Sequence, residues 1–220
     1  MAIKNKVKVK ICGITSWTDA RRAFEAGADF LGFNFYSGSP RYVTPAKARR
    51  IVRRLPEGIT AVGVFVNEPA EKVLETARTV GLARVQLHGE EPPEIVEKLS
   101  RSFPVIKAVR VRKPFRASQI AKFKRANAVL LDGFDGVRWG GTGKAFDWSV
   151  VPRRKGHSRI FLAGGITPEN VVEAIRIAKP YAVDVCSGVE AKPGKKDPRR
   201  IKALMRAVKD APKDARKDKR

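Results

Sequence analysis

The sequence predicts a single-domain α/β protein, a (β/α)8 TIM barrel with a phosphate site after its seventh and eighth strands. Three observations lead there. Strand-like and helix-like segments alternate from end to end, the pattern of parallel strands joined by crossover helices. The 220 residues suffice for one well-buried core and fall near the lower end of the barrel size range. Units of about 20 to 30 residues carry no signature that repeats from one to the next, which favours a closed barrel over a solenoid.

The strands are expected at residues 7–11, 30–34, 60–65, 84–87, 105–109, 128–131, 160–163 and 182–185. Between them lie helical stretches at 45–54, 69–80, 92–99, 168–178 and 197–208, several opening with proline in the first turn, where a missing N–H does no harm. After strand six a Gly-rich stretch leaves room only for a short helix near 148–151. The barrel is assigned to residues 1–208. Residues 209–220 are basic, lack apolar periodicity and are expected to form a disordered tail.

With 43% hydrophobic and 31% charged residues, the composition is that of an ordinary soluble domain, and no apolar run approaches the roughly 20 residues of a membrane span. The first ten residues alternate lysine with apolar side chains, which reads as a strand and lacks the apolar core of a secretory signal. Cys12 and Cys186 cannot build a disulfide framework, and no Cys/His spacing suggests a metal site. A reducing cytoplasm is the expected compartment. Charge is the anomaly: 46 Lys and Arg against 22 Asp and Glu leave a net +24. The cations are spread along the chain without a nucleic-acid motif, which favours a solvated basic surface that steers small anions over nucleic-acid binding.

Strand alternation places Lys10 and Cys12 inside the barrel and Val7, Val9 and Ile11 against the helices. The thiol would then sit at the C-terminal mouth, where barrel enzymes keep their reacting groups. A cysteine serves as base only when ionised, and a nearby ammonium would assist; a buried structural cysteine is the competing reading. Asp132 closes the apolar run of strand six at its C-terminal end, fit for acid–base work or for a helix cap. Gly164 and Gly165 follow strand seven, just ahead of Thr167 and Pro168, read here as the cap and first turn of a helix. Ser187 and Gly188 follow strand eight. Together these turns make a phosphate cradle where the fold usually holds one. Residues 140–144 resemble a nucleotide loop only superficially, since Arg138 and Ala145 break the pattern; they read as a lid over substrate. Arg41 follows strand two and could clamp a carboxylate, or be one more surface charge in a chain rich in arginine. His88 ends strand four near the mouth, in a structural or a catalytic role.

These stretches resemble the phosphoribosylanthranilate isomerase family over about residues 7–208. The likeness is carried by VKICGIT at 9–15, GFNFYSGSPRYV at 32–43, VGVFVNE at 62–68, VQLHGEE at 85–91, LLDG at 130–133, GGTGKAFDW at 140–148, LAGGITPENV at 162–171 and DVCSGVEAKPGKKD at 184–197. The resemblance implies an Amadori rearrangement of a phosphoribosyl amine in tryptophan biosynthesis, with Cys12 as general base and Asp132 as general acid. It implies Arg41 on the anthranilate carboxylate and the phosphate on the turns of Gly164, Gly165, Ser187 and Gly188. No cofactor is implied, because the substrate nitrogen serves as electron sink. Lys10, His88 and Asp184 are expected as supporting residues.

Two positions depart from the family pattern. Cys186 stands where serine is common, and Gly133 where threonine is frequent. Because strands one and eight adjoin in a closed barrel, Lys10 is expected to pair with Asp184, and Cys186 to lie near enough to Cys12 for oxidation to inactivate. The related histidine-pathway isomerase resembles an arrangement with aspartate at the strand-one position, against which Cys12 argues. The expected partner is a small phosphosugar substrate, with no membrane, and the assembly a monomer or a homodimer.

Overall fold

The computed structural model describes residues 7–112, 114–133, 147–151 and 159–211. Its strands are β1 (Lys8–Ile11), β2 (Phe30–Asn34), β3 (Thr60–Phe65), β4 (Arg84–Leu87), β5 (Val105–Val111), β6 (Ala128–Gly133), β7 (Arg159–Leu162) and β8 (Ala182–Val185). They are rich in Val, Ile, Leu and Phe and almost continuously buried, as parallel strands covered on both faces must be. All eight pair in sequence order and close into a barrel, β1 returning onto β8 with Lys10 opposite Asp184 and Ile11 opposite Val185.

The helices α1 (Trp17–Glu25), α2 (Pro45–Val52), α3 (Ala70–Val80), α4 (Pro93–Ser100), α5 (Ser118–Ala121), α6 (Val171–Ala178) and α7 (Pro198–Asp210) alternate with the strands. Local chemistry starts and stops them. Ser16, Thr44 and Asp197 cap α1, α2 and α7 by accepting backbone N–H groups of the first turn. α3 ends on Gly81 in the left-handed conformation.

Alternation along the strands creates two apolar layers. Val9, Ile11, Leu31, Val85, Leu131 and Val183 face outward under the helices. Phe30, Val62, Ile106, Leu130 and Phe161 fill the barrel interior, with the rings of Phe30 and Phe161 edge to face at 5.3 Å. Each such burial contributes about 1.5–3 kcal/mol. The polar residues of the interior are therefore held above this plug, at the C-terminal mouth.

Several boundaries differ from the sequence expectation. α6 begins at Val171, three residues after Pro168, so Thr167 is not its cap. The Asn170 side chain accepts from Thr167 N and donates to Gly165 O, holding residues 167–170 in a turn that competes with helix. β5 continues to Val111, because β6 continues alongside it to Gly133. α7 runs to Asp210, past the boundary placed at 208, since Val208 and Ala211 still bury apolar surface. A small antiparallel hairpin, β9 (Glu190–Lys192) with β10 (Lys195–Lys196), lies between β8 and α7, where the sequence pattern predicts no element. The short helix near 148 is a single turn over Trp148–Val150. The expected lid at 140–144 and the tail from 212 onward lie outside the described residues. Among the described residues no helix is long and apolar enough to cross a membrane.

Candidate active site

The C-terminal mouth holds a cleft open to solvent. Cys12, Arg41, His88, Asp132 and Asp184 line it, together with Gly164, Gly165 and Ser187 from the last two strand ends. The residues singled out in the sequence are thus brought together from six strand ends.

Cys12 follows β1 directly, and its N–H bonds to Val185 O at 2.9 Å, extending the β1–β8 ladder by one step. This step sets its thiol beside that of Cys186. A hydrogen bond from the Cys186 thiol holds Cys12 well below the usual thiol range, against the opposing effect of burial, and the charges of Lys10 and Lys196 add to the shift. Cys186 is pushed well up by the same contact, and by its own burial. Cys12 is accordingly the sulfur that ionises.

Beneath it, Lys10 is wholly buried, and its Nζ lies 2.8 Å from Asp184 Oδ2. Burial alone would drive the ammonium toward neutrality, but Asp184 and Cys12 more than reverse this and raise its pKa. Asp184 behaves differently. Burial, the Cys12 anion and Asp132 outweigh the single cation, so its carboxyl is pushed up to about 7. One ammonium thus serves two acidic groups and cannot fully satisfy both.

Across the mouth, Asp132 on β6 accepts a contact from His88 Nε2 at 3.1 Å, and the other ring nitrogen of His88 meets Gln86 Nε2 at 2.9 Å. Gly164, at φ 81°, leaves this carboxylate uncovered: a methyl there would press on Asp132 Oδ1 and collide with Gly133 N. The His88 turn is braced from below. Lys107 Nζ donates to Gly89 O at 2.8 Å and pairs with Glu91 at 2.9 Å, while Glu91 accepts from the N–H groups of Gly89 and Asn67.

Arg41 does not stand alone. Its Nε and Nη2 grip the Glu190 carboxylate at distances from 2.7 to 3.1 Å, and Lys196 Nζ reaches the same carboxylate at 2.9 Å. Burial opposes ionisation of Glu190, but Arg41 and Lys196 together pull its pKa down. The hydrogen bonds to Glu190 raise that of Arg41. Two cations around one carboxylate leave a net positive charge at the edge of the cleft.

The turn after β7 and that after β8 touch. Gly188 is packed so closely on the Ile166 carbonyl that a side chain would collide with it, and its own carbonyl accepts from Arg200 Nε at 2.8 Å. Gly188 lies behind the cleft wall while Ser187 and Gly165 line it. Small residues here let adjacent backbone amides approach an anion.

Sequence reasoning missed Glu190, Lys196, Gln86 and the Lys107–Glu91 brace. For Glu190 and Lys196 the available signal was their place inside the 184–197 motif. The inward parity of Gln86, two residues before His88, was the signal for that residue.

Proton transfer on a small anion is what this mouth is equipped to perform, which sets the chain among barrel enzymes that act on phosphorylated metabolites. Comparison with known proteins narrows the class. The family model described as N-(5'-phosphoribosyl)anthranilate (PRA) isomerase matches residues 9–207. An N-(5'-phosphoribosyl)anthranilate isomerase of Trichlorobacter lovleyi is 49% identical over 207 residues, covering 93% of this chain and 99% of the relative. The crystal structure of phosphoribosyl anthranilate isomerase from Thermotoga maritima has a TM-score of 0.87 at 48% identity, over 92% of this chain and 98% of that one. A structure of such an isomerase in complex with reduced 1-(o-carboxyphenylamino)-1-deoxyribulose 5-phosphate has a TM-score of 0.83 at 46% identity, over the same shares. The chain belongs to the N-(5'-phosphoribosyl)anthranilate isomerase family.

Proposed function

We propose that this isomerase of tryptophan biosynthesis converts N-(5-phosphoribosyl)anthranilate to 1-(2-carboxyphenylamino)-1-deoxyribulose 5-phosphate with Cys12 as base and Asp132 as acid. The observation that carries the reading is the pairing of an ionised thiol after β1 with a carboxyl on β6 across one cleft. Asp132, in its acid form, protonates the ring oxygen as the C1′–O bond of the furanose breaks, and the anilino nitrogen supplies the electron pair that forms the Schiff base. The Cys12 thiolate then removes the C2′ proton. Those electrons flow to the nitrogen, and the resulting enolamine tautomerises to the ketone.

The remaining groups position the substrate. The surplus cation of the Arg41–Glu190–Lys196 cluster attracts the anthranilate carboxylate, and Arg41 keeps it in a fixed orientation because Glu190 holds the guanidinium. The phosphate rests on the backbone of the Gly164–Gly165 and Ser187–Gly188 turns. Fixing both ends brings C2′ to the sulfur, which converts binding into rate. Every group in this account comes from one chain, so it holds for a monomer or a homodimer alike. Two unpaired thiols suit a reducing cytoplasm.

The test is steady-state kinetics on freshly generated phosphoribosylanthranilate, followed by fluorescence. Cys12→Ser and Asp132→Asn are each expected to lower kcat by about 10²- to 10⁴-fold with little change in KM. Near-normal kcat in either variant would remove that residue from its role.

A further inference from the structure

Gln86, on β4, is buried, and its amide does something more specific than fill space. Its Nε2 lies 2.9 Å from His88 Nδ1, while its Oε1 is buried without a hydrogen-bond partner among the described residues. An amide nitrogen can only donate, so in this arrangement Nδ1 presents a lone pair, and the ring proton of a neutral His88 sits on Nε2, directed at Asp132 Oδ2. This is the relay in its empty state, a neutral imidazole donating to a carboxylate that has given up its proton.

A second proton stored on the imidazole must occupy Nδ1, where it needs an acceptor. A half-turn of the Gln86 amide exchanges its nitrogen for the idle Oε1 and provides one. We propose that Gln86 is a positioning residue: its amide donates to His88 when the His88–Asp132 pair is empty and accepts from it when the pair is loaded, so that it guides the returning proton to the acid. The inference rests on the reading of Asp132 as general acid. A hydrocarbon at position 86 could serve neither state, and a carboxylate only the loaded one.

Other charged groups face this pair. Asp132 stands opposite Arg110 on β5, which attracts it and is itself within 3.6 Å of Glu90. Asp184, across the barrel, repels it. The Lys107–Glu91 pair braces the adjoining turn. None of these is altered by substitution at Gln86, so a change in the uncharged Gln86→Leu reports loss of the amide, while Gln86→Glu adds both an acceptor and a charge.

The experiment combines pH profiles of kcat with ¹⁵N NMR of histidine-labelled enzyme. The chain has two histidines, so His88→Asn assigns the signals. In the wild type, His88 at alkaline pH is expected as the Nε2–H tautomer; an Nδ1–H tautomer would overturn the proposal without any variant. Gln86→Leu keeps the Nε2–H tautomer, which Asp132 still holds, but leaves the loaded state without an acceptor at Nδ1, and is expected to lower kcat about tenfold with KM nearly unchanged. Gln86→Glu, which only accepts, is expected to move the basic limb of kcat upward by about one pH unit. An unchanged kcat in Gln86→Leu, or an unmoved basic limb in Gln86→Glu, would overturn it. Loss of activity in Asp132→Asn with wild-type behaviour at position 86 would retire the relay alone, whereas full activity in Asp132→Asn would retire the acid itself.

Discussion

Lys10 Nζ and Asp184 Oδ2 meet at 2.8 Å across the junction of β1 and β8, and the same ammonium faces the Cys12 sulfur. The two acidic groups compete for one cation, and the competition has measurable consequences.

Since the Cys12 anion raises the pKa of Asp184, the Asp184 anion must raise that of Cys12 to the same extent. Asp184→Asn is therefore expected to shift the acid limb of kcat/KM to lower pH, and Lys10→Met to shift it to higher pH. The stability sign is also determined. The folded carboxyl near 7 lies above the ordinary value of 3.8, so its contribution is full below about pH 4 and is lost as pH rises through 7. Urea unfolding of wild type and Asp184→Asn should thus diverge across that window, with wild type losing ground as pH rises. A constant difference between them would refute the shift.

Cys12 and Cys186 each follow directly on the paired residues Ile11 and Val185, and neighbouring strands run about 4.8 Å apart, inside the Cα range of a disulfide. Treatment with a peroxide is expected to join the two sulfurs, the thiols losing two protons and two electrons while the peroxide is reduced to water. Activity should fall and return with dithiothreitol. Cys186→Ser should form no disulfide, its Cys12 going to the sulfenic acid and on excess peroxide to irreversible forms, so that dithiothreitol restores less activity than in the wild type.

Gly188→Ala places a methyl against the Ile166 carbonyl and must push the two terminal turns apart. The expected result is a KM raised about tenfold or more, with kcat less affected, because a turn that only positions phosphate acts through binding. Inorganic phosphate, used as a competitive inhibitor, should weaken in parallel.

Glu190→Gln leaves Arg41 and the buried Lys196 without their shared carboxylate. Removing one partner from a buried ion cluster costs about 3–5 kcal/mol, so a clear loss of stability in denaturant is expected. KM should rise as well, since the guanidinium is no longer held in one orientation. If Arg41 needs only charge and not its fork, Arg41→Lys will match wild type; we expect it to fall well short.

Much of this site is legible in the sequence, and the reason is local. Period-two alternation places Lys10 and Cys12 on one face from five residues of sequence, and an aspartate ending an apolar strand declares its end of the barrel. Gly164, Gly165, Ser187 and Gly188 were legible because backbone approach to an anion excludes side chains. What was not legible depends on contacts between distant segments. Glu190 lies 149 positions from Arg41, so nothing near either residue announces the pair. The α6 start was misplaced because Thr167–Pro168 is a good helix opening, and the Asn170 side chain, folding back on Gly165, overrides it. His88 was ambiguous until Asp132 was found beside it, 44 positions further on.

The closure of β1 onto β8 has a bearing on how the enzyme comes into being. The partners Lys10 and Asp184 stand 174 positions apart, on the first and the last strand of the barrel. Nascent chains on the ribosome hold the reactive sulfur long before the cation beneath it has its counterion or the second thiol exists to polarise it. A chain that stops short of β8 lacks both Asp184 and Cys186, so the environment that ionises Cys12 is complete only once the final strand has docked.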